Sequence, residues 1–144
     1  MMAELDDAAE ICAAHGVRLT AQRAHVLTLL RSSERPLKAY DLLPALGQPG
    51  RPAKPPTAYR ALDFLVEHGL AHRIESLNAY VACDHAGADH SATFLICDRC
   101  GAVAETHMHE PVRGLSAAAQ RQGFRLDRVA IEAHGLCGTC SETA

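Results

Sequence analysis

The segment Thr57-Ala-Tyr-Arg-Ala-Leu-Asp-Phe-Leu-Val-Glu-His-Gly69 predicts a helix that leads directly into a pair of strands, and this decides the fold class. Its apolar stripe recurs at helical spacing and consists of Leu62, Leu65 and Val66. Thr57 is a good N-cap and Gly69 a good C-terminal stop, so the predicted helix runs over 58–68. Apolar and polar residues then alternate in 71–75 and 79–83, which predicts a β-hairpin.

Three further apolar patterns precede this segment and predict helices at residues 6–15, 20–31 and 38–46. The third contains Pro44, which should shorten or distort it. A loop rich in proline and glycine, 47–56, separates it from the helix that follows. Helices followed by a hairpin indicate a winged helix-turn-helix over residues 1–83.

The remainder, residues 84–144, has the pattern of a second small unit. It predicts strands at 93–97 and 102–106 around a tight turn, then a helix at 111–122 and a strand at 124–133. The expected fold class is therefore α+β, an N-terminal winged helix-turn-helix followed by a small α/β unit.

Composition narrows the function classes. A chain of 144 residues that is 48% hydrophobic and 22% charged should fold, but it is too short for a large multi-domain enzyme. Aromatic residues make up only 4%, which argues against an aromatic sugar-binding or base-stacking surface. No apolar run approaches the length of a membrane span and the first residues are acidic, so we expect a cytoplasmic protein with no membrane partner.

Charge is distributed unevenly along the chain. The formal net charge is −3, yet residues 17–60 hold eight basic and two acidic side chains. Residues 84–144 hold five basic and eight acidic ones together with most of the cysteines. The sequence therefore predicts a basic first part suited to nucleic acid and a metal-binding second part.

Two Cys-x-x-Cys pairs, Cys97/Cys100 and Cys137/Cys140, predict a structural zinc site. Each pair can chelate one ion from a single turn, and two pairs complete the tetrahedron that Zn²⁺ prefers. A redox Cys-x-x-Cys or incidental buried thiols are the alternatives. The redox alternative needs a helix N-terminus beside a βαβ pattern, whereas Gly101 follows the first pair.

A more dispersed set of ligand-type side chains predicts a second metal site that draws on both parts of the chain. The candidates are His72, Cys83, Asp84, His85, Asp89, His90, Glu105, His107 and His109. Among them His72 opens the predicted hairpin, Cys83 closes it, His90 lies on the connection and Glu105 follows the second strand. Mixed nitrogen, sulfur and oxygen ligands suit Zn²⁺. Any one of these residues alone would more often be an ordinary polar side chain.

The start of the helix at 58–68 is a candidate DNA-reading surface. Arg60 can donate two hydrogen bonds to guanine, while Tyr59 and Tyr40 suit phosphate or a thymine methyl group. The alternative is a solvated helix face, but the basic charge around it favours DNA.

The sequence resembles the ferric uptake regulator family, and within it the zinc uptake regulators, over nearly the whole chain. The matching strings are Val17-Arg-Leu-Thr-Ala-Gln-Arg23, Ala39-Tyr-Asp-Leu-Leu43, Lys54-Pro-Pro-Thr-Ala-Tyr-Arg-Ala-Leu-Asp-Phe-Leu65, Phe94-Leu-Ile-Cys-Asp-Arg-Cys-Gly-Ala-Val103 and Ile131-Glu-Ala-His-Gly-Leu-Cys137. The resemblance implies a homodimeric, zinc-responsive repressor that binds palindromic double-stranded operator DNA and controls zinc uptake genes, with 84–144 as its dimerisation domain.

The resemblance also implies residue roles. It implies two zinc ions per subunit, one structural at Cys97, Cys100, Cys137 and Cys140, and one regulatory at His72, Cys83, His90 and Glu105. Operator contacts are implied for Tyr40, Tyr59 and Arg60, with Arg23 as a phosphate contact. No enzymatic activity and no small-molecule substrate are expected, because four protein ligands leave no open position for a catalytic water.

Departures from the family pattern leave other questions open. The iron-sensing branch has a His-rich run where this chain has Ser91-Ala-Thr-Phe94, which argues against an iron or peroxide sensor. A sensor for iron, manganese or nickel and a zinc store remain the alternatives. Pro44 and Gly47 stand where paired dimers of some zinc regulators carry bridging charges. A third metal site would use the remaining histidines, His85, His107, His109 and His134.

Overall fold

The computed structural model describes residues 3–83, 92–106, 108–127 and 129–142. The chain divides into two compact units, Met1–Ala88 and Asp89–Ala144. The domain boundary expected after residue 83 falls at the edge of 84–91, which lies outside the described residues, so it stays a prediction. No helix in the described ranges is long and apolar enough to cross a membrane.

The first unit has the winged helix-turn-helix order that the sequence predicts. Its elements are α1 (Ala3–Ala14), α2 (Ala21–Ser32), α3 (Ala39–Leu46), α4 (Pro55–Glu67), β1 (Ala71–Ile74) and β2 (Ala79–Ala82). The two strands pair antiparallel, with Ala71 opposite Ala82. Leu37 exchanges two backbone hydrogen bonds with Tyr80, which attaches the segment before α3 to the hairpin.

Helix α4 begins earlier than expected. Thr57 was predicted as its N-cap, but the helix starts at Pro55 and its N-cap is Lys54. Proline suits the first helical positions because its φ is already helical and its missing N–H would have no helical partner there. At the other end Gly69 has φ of +73°, and the chain reverses so that the Leu70 amide donates to the Leu65 carbonyl at 2.8 Å.

Apolar side chains from all four helices and the hairpin form the core of the first unit. Its fully buried members include Val26, Leu27, Leu42, Leu62, Leu65 and Leu70. Burying a side chain of this size contributes about 1.5–3 kcal/mol. The core therefore fixes α4 by its apolar stripe and leaves the opposite face of that helix to solvent.

The second unit is a three-stranded sheet with a helical crossover. Its elements are β3 (Ala92–Cys97), β4 (Val103–Thr106), α5 (His109–Arg121), β5 (Ala130–Gly135) and α6 (Gly138–Glu142). Strand β3 lies in the centre, antiparallel to β4 and parallel to β5. Together the two units make the α+β fold predicted from the sequence.

Two details of the second unit differ from the sequence-based expectation. The last strand was predicted at 124–133, but residues 124–127 are not a strand and β5 begins at Ala130. The Phe124 amide instead donates to the Ala119 carbonyl at 2.8 Å as part of the turn that ends α5, and pairing with β3 starts where Ala130 meets Ala92. The short helix α6 around Cys140 was not predicted.

Candidate metal centre and nucleic-acid interface

The four cysteines of the two Cys-x-x-Cys pairs meet in the second unit. The sulfur atoms of Cys97, Cys100, Cys137 and Cys140 all lie within 4.8 Å of one another. The sulfurs of Cys100 and Cys137 are 3.8 Å apart. All six cysteines of the chain lie in the described residues, and they are thiols rather than disulfides. We refer to these four side chains as the cysteine cluster.

The cluster is built on a turn at the end of the central strand. Cys97 is the last residue of β3, and Gly101, with φ of +78°, lets the chain fold back so that its amide donates to the Cys97 carbonyl. The amide of Asp98 donates to the Gly135 carbonyl at 2.9 Å, which holds this turn beside the end of β5. Parallel pairing of β3 with β5 thus brings the second pair of cysteines to the first.

Hydrogen bonds favour a thiolate at one position of the cluster. The backbone amides of Cys100 and Cys137, the largest causes, lower the pKa of the Cys97 thiol from 9.0 to about 6. The hydrogen bond from Cys137, burial and the other thiols raise the pKa of Cys140 to about 12. Four sulfurs this close can therefore all be ionised only when a cation lies among them.

The donor set and spacing fit a tetrahedral zinc ion. Sulfurs that bind zinc at about 2.3 Å in a tetrahedron are about 3.8 Å from one another. The Cys100–Cys137 separation already has this value. Thiolates without a carboxylate or water ligand are typical of structural rather than catalytic zinc.

Arg99 and His134 support the cluster, and no local sequence pattern indicates either role. Arg99 Nη1 donates to the Cys140 carbonyl at 3.1 Å, which connects the first turn to α6. His134 Nδ1 lies 2.8 Å from Asp98 Oδ1, beside Cys97. Both contacts join residues more than 35 positions apart, which is why local pattern could not reveal them.

In the first unit the structure brings together two of the predicted regulatory ligands. The ligand atoms of His72 and Cys83 lie within 4.8 Å of each other. His72 belongs to β1, and Cys83 follows β2 and continues the ladder, its amide donating to the Leu70 carbonyl at 3.0 Å. Pairing of the hairpin therefore places an imidazole beside a buried thiol.

The other expected metal ligands are placed less completely. Glu105 is a half-buried residue of β4 in the second unit. His90 lies outside the described residues, as do His85 and His107, and nothing is described of the His109 side chain. Assignment of all four regulatory ligands, and of any third site, stays a prediction.

The predicted DNA-reading side chains lie in the first unit on two neighbouring helices. Arg60 is exposed and Tyr59 half-buried near the start of α4, and Tyr40 on α3 is 66% exposed. Arg51 and Lys54 are exposed on the connection between these helices. In a helix-turn-helix, basic and aromatic side chains at the start of the second helix can contact the edges of bases and the phosphates of DNA.

Arg23 differs from these residues because it is half-buried and its guanidinium has partners within the unit. Its Nη1 donates to the Arg18 carbonyl at 2.9 Å, and its Cζ lies 3.8 Å from the centre of the Phe64 ring. A phosphate contact by Arg23 stays a prediction. The contact with Phe64 could not be read from the sequence, where the two residues are far apart.

Comparison with known proteins establishes the family to which the chain belongs. A model described as the ferric uptake regulator family matches residues 14–134 of the chain. This span includes α2, α3 and α4, the hairpin and two of the four residues of the cysteine cluster, Cys97 and Cys100. The chain belongs to the ferric uptake regulator family.

Three relatives are informative. The chain is 46% identical over 139 residues to the zinc uptake regulation protein of Escherichia coli (strain K12), covering 96% of this chain and 81% of that protein. A solved zinc uptake regulator complexed with zinc and DNA matches with a TM-score of 0.90 and 45% identity, covering 99% and 95% of the two chains. The crystal structure of holo XcZur matches with a TM-score of 0.86 and 41% identity, covering 99% of each.

Proposed function

We propose that this chain is a zinc-responsive transcriptional repressor that binds palindromic operator DNA as a zinc-loaded homodimer in the cytoplasm and controls zinc uptake genes. The observation that carries the proposal is the likeness, at 45% identity over nearly all of both chains, to a zinc uptake regulator complexed with zinc and DNA. The cysteine cluster and the basic, exposed start of α4 support it independently.

The proposed function uses two zinc ions per subunit. The cysteine cluster would hold the structural ion, because its donor set and sulfur spacing fit zinc. His72, Cys83, His90 and Glu105 would hold the regulatory ion, and the proximity of His72 and Cys83 supports this assignment. Bound zinc supplies a divalent charge and a cross-link between side chains, and no open position is needed for a substrate. We therefore assign no enzymatic activity and no small-molecule substrate.

The proposed response to zinc follows from thermodynamic linkage between zinc binding and DNA binding. Occupancy of the regulatory site would favour the conformation of the chain in which its ligands can reach one ion. If that conformation is the one that binds DNA, zinc raises operator affinity, and operator DNA must raise zinc affinity by the same factor. Cys83 and His72 must lose protons to bind the ion, so the response should weaken in acid.

The test is a titration of a fluorescent duplex, enriched from a random-sequence library by the zinc-loaded protein, at fixed salt. Zinc is buffered from starved to replete, with ferrous and manganous ions in parallel arms. Tight binding that requires zinc is expected. Binding that ignores zinc, or that follows iron or manganese, would contradict the assigned signal.

Arg60 gives a direct test of the DNA-reading surface. Arg60→Ala should weaken operator binding about 5- to 150-fold, because one bidentate contact to guanine is worth about 1–3 kcal/mol. The same fluorescence titration measures it. The matched control is Arg121→Ala, which removes an exposed arginine from the last turn of α5 and should change affinity little. Equal affinities for the Arg60 variant and the wild type would exclude Arg60 as a base contact.

Exposed apolar residues of the second unit support a homodimer. Leu95, 51% exposed at the centre of the sheet, lies between Ala104 and Ala133, which are also exposed. Phe124 is 65% exposed, and other large apolar side chains of this unit that are about half exposed are Met108, Leu115 and Leu136. Apolar surface of this kind marks an interface. In a dimer with two-fold symmetry, each of these residues would be buried on both subunits.

Leu95→Lys should therefore dissociate the dimer. A dimer with two-fold symmetry loses two buried leucines at about 2 kcal/mol each, so its dissociation constant should rise roughly a thousandfold. Sedimentation velocity of the zinc-loaded protein measures the change. Leu77→Lys, in the hairpin turn of the first unit, is the control and should remain dimeric. A dimeric Leu95→Lys protein would show that this face is not the interface.

A further inference from the structure

The guanidinium of Arg23 forms a contact that bridges α2 to the DNA-reading helix. Its Cζ lies 3.8 Å from the centre of the Phe64 ring, and Phe64 belongs to α4, one turn beyond Arg60. At the same time Nη1 donates to the Arg18 carbonyl at 2.9 Å, just before the Thr20 N-cap of α2. One side chain thus connects the start of α2 with the later half of α4.

Burial makes this contact stronger than a surface cation–π pair. Phe64 is only 8% exposed, and Arg23 is half-buried. The Arg23 charge also reaches α1, where burial raises the pKa of the Cys12 thiol and Arg23 opposes that rise. A guanidinium over a desolvated aromatic ring is worth more than one over an exposed ring.

Phe64 is in turn packed against the end of its own helix. Its ring centre is 4.6 Å from that of His68, the C-cap of α4, and His68 Nδ1 lies 2.9 Å from His15 Nδ1. The ring of Phe64 therefore contacts both Arg23 of α2 and His68 at the end of its own helix. Loss of the guanidinium would free Phe64 and allow α4 to shift or fray.

We propose that Arg23 is a positioning residue for DNA recognition, which acts through Phe64 to set the placement of α4, and that it is not a phosphate contact. This inference rests on the proposed function, since it assumes that α4 reads DNA. The chemistry requires arginine, because lysine keeps the charge but lacks the planar face that stacks on the ring and the fork that donates to Arg18.

The test compares Arg23→Lys, Arg23→Met and the wild-type zinc-loaded protein for operator affinity at several salt concentrations. The expected result is a loss of about fivefold in both variants, with an unchanged slope of log affinity against log salt for Arg23→Lys. Hydrogen exchange of the α4 amides from Phe64 to His68, measured without DNA, should be faster in both. Arg31→Lys is the control, because Arg31 lies on the same helix and its guanidinium pairs with Asp7 of α1.

A phosphate contact predicts the opposite pattern. Arg23→Lys would then bind like the wild type, Arg23→Met would reduce the salt slope by about 0.9, and exchange in α4 would not change. That result would overturn the proposal, as would wild-type affinity and exchange in both variants. If the wild-type protein binds no DNA, the proposed function fails, whereas the exchange measurement still decides whether Arg23 holds α4.

Discussion

Cys137→Ser is expected to abolish the fold of the second unit while the first unit stays folded. A unit of this size rarely has more than about 3–5 kcal/mol from its core. Structural zinc contributes apparent binding energies of about 10–16 kcal/mol in zinc-finger peptides, and that energy is folding energy. Removing one of the four thiolates should therefore lower the zinc content by one ion per subunit. It should also remove the protection of the β3 and β5 amides against hydrogen exchange and dissociate the dimer.

Three measurements on one sample check this expectation: zinc content by mass spectrometry, hydrogen exchange resolved along the chain, and sedimentation. Cys12→Ala is the control, because Cys12 is a buried thiol outside the cysteine cluster and its removal should leave the zinc content unchanged. A Cys137→Ser protein that loses one zinc and remains a protected dimer would refute the structural role.

Cys83→Ser should have a different effect, loss of the zinc response in a protein that remains folded and dimeric. Cys83 lies next to His72 in the hairpin and is not part of the cysteine cluster. Coupling between an effector site and a binding site is typically worth about 5- to 150-fold in affinity. The variant should lose that increment, so that zinc-replete and zinc-starved protein bind operator DNA equally weakly.

Operator titration at low and high buffered zinc measures the loss, and circular dichroism confirms that the variant is folded. Cys12→Ala is again the matched thiol control, since it removes a buried cysteine from the same unit and should keep the full zinc response. Repression by zinc that survives Cys83→Ser would contradict the regulatory assignment.

The parts of the fold predicted from sequence are those that local chemistry determines. Thr20 was identified as an N-cap, and its side chain does accept the Arg23 amide. The change of period after Gly69 located the hairpin, with strand ends within one residue of those observed. The cysteine cluster was predictable because each pair chelates from its own turn and two pairs are what a tetrahedral ion requires.

The parts that failed depend on non-local contacts or on competing local signals. Thr57 is a good N-cap in isolation, yet Pro55 and Pro56 are better helix starts, so α4 begins before it. Residues 124–127 were expected to begin the last strand, yet the Phe124 amide donates to the Ala119 carbonyl in the turn that ends α5, and β5 begins at Ala130. The contact of Arg23 with Phe64 connects helices that only the folded core brings together.

The cysteine cluster also has a consequence for the rate of folding. It joins Cys100 to Cys137, 37 residues apart, at the end of the parallel pair β3 and β5. Closing a loop of this length costs chain entropy before the strand contacts form, which makes parallel pairing slow. Ligation would tether β5 near β3 and raise its effective concentration there. Chains made without metal should therefore spend longer with unpaired strand edges, the form of the protein most prone to aggregate.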